Sequence, residues 1–113
     1  MPRLSIAQPV WLIVTEVRVT GNAIQPWREG SKALVQAFVP SPVLEDALTL
    51  LDAYLPTQEL ERIDVMKAER YVPDEEWEEL PAAHILEPLE KAARTNECQL
   101  GVFVVSQETA WPR

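Results

Sequence analysis

The chain is poor in the residues that most catalytic and disulfide-bonded proteins rely on. It has one cysteine, one histidine and three glycines in 113 residues. A lone Cys98 excludes an internal disulfide. One Cys and one His cannot furnish a four-ligand zinc site. The glycines form no Gly-rich turn ahead of a helix, so no phosphate cradle is written in the sequence. Lys and Arg number 10 against 18 Asp and Glu, a net charge of −8. No cluster of cations is present, which argues against DNA or RNA binding, since phosphate affinity is carried by such clusters. The apolar run from Pro9 to Val14 is six residues long and soon meets Glu16 and Arg18. That is too short for a membrane span or a signal peptide. These absences point to a cytoplasmic domain, and a single cysteine fits a reducing compartment.

What is present describes one folding unit. Apolar residues make up 47% of the chain, enough for a core without metal or disulfides. No internal repeat, low-complexity tract or linker interrupts it, so residues 1–113 read as a single domain. Val10 to Thr20 predicts a strand, apolar on both parities at first and on one parity later. Gly21-Asn22 signals a turn. Ala33 to Val39 predicts a second strand, joined to the first by a wide hairpin loop. Ser41 and Pro42 suit an N-cap and a first helical position. Leu44, Ala47, Leu48, Leu51 and Leu55 then recur at helical spacing, predicting a helix over Pro42–Leu55 that Pro56 ends.

Leu60 to Val72 predicts a third strand whose apolar parity shifts midway. A β-bulge near Val65 to Lys67 explains the shift, and a charged edge strand is the alternative. Pro73-Asp74 predicts a second helical region, with Asp74 as N-cap and Glu75 and Glu76 at the positive end of the dipole. Pro81 and Pro88 predict two short helices or one kinked helix ending near Asn96. Leu100 to Val105 is apolar on both parities and predicts a central strand. The order β-β-α-β-α-β predicts an α+β fold: a mainly antiparallel four-stranded sheet with helices on one face, ferredoxin-like in character.

The charge is uneven. Met1 to Thr57 carries four bases and five acids, whereas Gln58 to Glu97 carries five bases and twelve acids. Five of those twelve fall in one stretch: Asp74, Glu75, Glu76, Glu78 and Glu79. Two carboxylates on one helix face can hold a divalent ion with a third ligand, but no EF-hand spacing is present. The plainer reading is a solvated helix start. Trp77 stands alone in this run, either packing the segment onto the sheet or anchoring a partner. Trp27 and Arg28, in the loop after the first strand, are the other partner-binding candidates.

No chemistry is written at the remaining reactive residues. His84 has no flanking catalytic signature, and Cys98 reads as a small buried hydrophobe. No catalytic residue, metal ligand or cofactor is assigned. The favoured function is a non-enzymatic interaction domain, an inhibitor, immunity or regulatory protein for a basic partner. In gross composition the chain shares the character of small acidic proteins that neutralise a toxin. A homo-oligomer, such as a homodimer with a small-molecule pocket, is the second reading. A carboxylate-based enzyme is the third.

Overall fold

The first strand is the axis of the molecule. A computed structural model describes the backbone of residues 2–21 and 30–106 and the side chains of 2–21 and 30–101. β1 (Val10–Val19) pairs antiparallel with β2 (Lys32–Pro40) on one side and with β3 (Leu60–Tyr71) on the other. β4 (Gln99–Ser106) adds antiparallel to the outer edge of β2. The strand order is β3-β1-β2-β4. β4 is therefore an edge strand, not the central one that its double-parity apolar run predicts. The reason is physical: side-chain parity reports which faces are covered, whereas a strand's place in the sheet is set by backbone pairing. β1 and β2 are the two strands that are central.

The two parities of β1 feed two separate cores. Ile13, Val17 and Val19 are buried with Val35, Ala37 and Val39 of β2 against Ala47 and Leu51 of α1 (Leu44–Tyr54). Val10 and Leu12 are buried with Phe38 of β2 against Leu89, Ala92 and Ala93 of α2 (Ala83–Thr95). Successive strand residues point to opposite faces, so α1 and α2 cover opposite sides of the sheet. This corrects the expectation of helices on one face, on which the ferredoxin-like character rested. The amphipathic stripe of each helix showed that it packs on a sheet, but carried no mark of which side.

The helix boundaries follow local chemistry. α1 starts at Leu44 with Val43 at the N-cap, not Ser41. The Ser41 hydroxyl instead accepts the Val43 N–H at 3.3 Å and closes the turn before the helix. A 3-10 helix over Leu55–Gln58, absent from the sequence reading, extends α1 through Pro56. Proline sits at the start of that turn, where its missing donor costs nothing. Glu59, in the left-handed region at φ 56, ends it. α2 is one helix with Pro88 inside, and left-handed Asn96 caps it by donating its N–H to Ala92 O at 2.9 Å. It starts only after Pro81, so Asp74 is not its N-cap.

Bulges shape both edges. The pairing of β3 with β1 skips Met66 opposite Val14 and Thr15, and skips Ile63 opposite Glu16 and Val17. The parity shift in β3 thus has both of its proposed causes, a bulge and an edge position. In β4, Gly101 and the next residue stand opposite the single Gln36 of β2. A Cβ on Gly101 would lie 2.9 Å from Cε1 of Phe38, which is fully buried. Glycine lets the strands approach there.

Candidate interaction site

The acidic segment is a pinned turn rather than a helix start. After β3, Asp74 takes a left-handed conformation at φ 60, which Asp tolerates better than most residues. Its N–H donates to Leu4 O at 2.9 Å, and the Leu4 N–H donates to Glu75 O at 2.9 Å. Trp77 N–H donates to Pro2 O at 2.9 Å. Residues 2–4 therefore run antiparallel to the turn, with Arg3 and Glu76 as a bridge pair. Arg3 also holds the Glu76 carboxylate at 2.8 Å, and both side chains stay more than half exposed. The fully buried Leu4 fastens this rung to the α2 core.

The turn divides its side chains between solvent and core. Asp74, Glu76, Glu78 and Glu79 are exposed, whereas Glu75 and Trp77 are half-buried. Trp77 stacks on Tyr71 with ring centroids 5.5 Å apart and packs against the α2 core. It serves as an internal anchor of the turn, the plainer of its two sequence readings. The Tyr71 hydroxyl donates to the Glu69 carboxylate. Burial first, then that hydrogen bond and the charges of Glu69 and Glu75, push the phenol far above its ordinary range. Negative charge is thus concentrated around Tyr71 as well as along the outer edge of the turn.

Trp27 and Arg28 lie outside the described residues. The reactive residues do not assemble. His84 is exposed in the first turn of α2, and Cys98 follows the far end of that helix. The helix between them spans about 17 Å from His84 to Thr95. Cys98 packs half-buried against the α1 core, and burial pushes its thiol upward, which keeps it protonated and a poor nucleophile.

An open cleft of about 490 Å³ lies beside the 3-10 turn, with Asp52, Leu60 and Arg62 in its wall. Glu61 also lines it and pairs with Arg18 at 3.4 Å, while Asp52 and Arg62 are committed to each other. Arg62 Nε and Nη2 donate to the two Asp52 carboxylate oxygens at 2.6 and 2.9 Å. That hydrogen bonding holds the Asp52 carboxyl below its usual value, against a smaller opposing effect of burial. Sequence spacing carried no signal of this pair, because it joins a helix to the edge strand of the sheet. Among the described residues, no group of three His, Cys, Asp or Glu is placed to hold a metal ion. No described helix is long and apolar enough to cross a membrane. Compared with known proteins, the chain matches no family model, no curated protein and no solved structure.

Proposed function

We propose that this chain is a non-enzymatic interaction domain that docks a basic protein on the turn from Asp74 to Glu79, acting in the cytoplasm as an inhibitor, immunity or regulatory protein. One observation carries the reading: four exposed carboxylates stand on, or within two residues of, a stretch from Asp74 to Trp77 that three hydrogen bonds tie to residues 2–4. A fixed array of like charge loses little freedom on binding, so its attraction for cations is not spent on ordering the loop. The stacked pair of buried Tyr71 and half-buried Trp77 anchors the stretch to the α2 core. Arg3 offsets only Glu76, leaving Asp74, Glu78 and Glu79 to steer a basic partner.

The test is affinity capture of basic proteins with wild type and with Asp74→Asn, Glu78→Gln, Glu79→Gln combined. A control variant carries Glu61→Gln, Asp64→Asn and Glu87→Gln, which removes as much charge from exposed sites elsewhere. The reading expects a specific captured protein that the turn variant loses and the control keeps. Equal loss in both variants would mean general charge attraction and would refute a docking site at the turn.

A further inference from the structure

A second surface lies on the opposite side of the sheet, on α1. Four large apolar side chains are exposed among the described residues, and two of them are Val43 (49%), at the N-cap of α1, and Leu50 (46%), within it. They are seven positions apart, two helical turns, and so share one flank. Tyr54 follows Leu50 by four and continues the ridge. The opposite flank is tied to β3 through Asp52 and Arg62. The Val43 flank therefore faces the β4 side, where Cys98 and Leu100 pack half-buried against the α1 core. Tyr54 stands near Cys98 and Glu97, and burial first, then these two titratable neighbours, raises its pKa.

The charges beside this flank are acidic among the described residues. No Lys or Arg occurs between Lys32 and Arg62, or between Arg94 and Arg113. Asp46, four residues before Leu50, and Glu97 are exposed beside it. We propose that the face formed by the Val43–Tyr54 flank of α1 and the start of β4 binds an amphipathic helix with an apolar stripe and flanking Lys or Arg residues. The ridge from Val43 to Tyr54 is about 16 Å long, enough to meet three turns of such a helix. A second copy of this chain would set the same acids against each other, so a basic partner fits the surface better. The inference is independent of the acidic turn, which lies on the α2 side.

The experiment is an amide-shift titration with a synthetic Leu-striped, Lys-flanked helical peptide of about 18 residues. A scrambled peptide of the same composition serves as the charge control. Wild type, Leu50→Lys and the Asp74, Glu78, Glu79 variant are compared. Leu50 is exposed enough for lysine to leave the fold intact, which a thermal melt checks. Expected are shifts grouped at 43–54 and 97–101, binding about tenfold weaker in Leu50→Lys, and no change in the turn variant. Shifts centred on 74–79, equal binding of the scrambled peptide, or undiminished binding by Leu50→Lys would overturn the proposal. So would a concentration-dependent dimer that Leu50→Lys abolishes, because it assigns the face to a second copy. A turn that fails to capture a partner leaves these outcomes unaffected.

Discussion

Tyr71 is the residue where core packing and acidic charge meet. Its phenol is buried, stacked on Trp77 and bonded to Glu69. A phenol whose folded pKa is raised stabilises the fold fully below the unfolded value of about 10, and that contribution fades as pH rises past it. Denaturant melts from pH 7 to 11 should therefore show wild type losing stability above about pH 10. Tyr71→Phe should start about 1 kcal/mol less stable at neutral pH, from the lost hydrogen bond, and fall less steeply in alkali. Some slope should remain, because Tyr54 is also raised. Parallel alkaline slopes for the two proteins would show that Tyr71 is not held as described. Asp52 gives the acid counterpart. Its folded pKa is depressed, so its contribution is present above the unfolded value of about 3.9 and disappears as pH falls through the folded one. Asp52→Asn should cost no more than about 1 kcal/mol at pH 7, since the pair is partly exposed, and nothing near pH 2. A constant cost across that range would point to packing instead of charge.

At the scale of elements, the two cores make separate claims. Leu51→Ala empties the α1 side and Leu89→Ala the α2 side, and each residue is fully buried. Each should cost about 2–5 kcal/mol, and the two should nearly add, because the sheet lies between the sites. A large non-additive term in urea melts of the double variant would contradict helices on opposite faces. Gly101→Ala should cost about 1–3 kcal/mol, because the new methyl meets a Phe38 ring that has no room to move. The strands and α1 were legible because β1, β2 and the Leu44–Leu55 stripe have clear periods. Three things were not. The helix spacing of Glu75 and Glu79 suggested a helix, but the pairing of Asp74 to Trp77 with residues 2–4 decided the conformation there. The side each helix takes depends on how the crossovers pass the sheet, which periodicity does not encode. β4 looked central because it is apolar, yet it pairs with β2 alone.

The molecule as a whole concentrates its negative charge in one half of its sequence. Much of the net −8 falls after Gln58, and the turn at 74–79 presents the densest part of it. The location of that density was readable from the sequence, and so was Trp77 as its one apolar member. The split between outward Asp74, Glu76, Glu78 and Glu79 and inward Glu75 and Trp77 was not, because it follows from a left-handed residue and a bridge to the N-terminal segment. Trp77→Ala should accordingly lower stability by about 3 kcal/mol or more and loosen the turn, visible as lost protection of the Leu4 and Trp77 amides in hydrogen exchange. Unchanged protection would free Trp77 for the partner-anchoring role instead.

Steering by the acidic turn shows most directly in how the captured partner approaches. Its association rate should be measured for wild type and for the Asp74, Glu78, Glu79 variant at low and at high salt. Steering by a fixed acidic turn predicts a wild-type rate that falls steeply with salt, a variant rate that is slower at low salt, and convergence of the two once the charges are screened. Equal rates for the two proteins at low salt, with the fold intact, would contradict it.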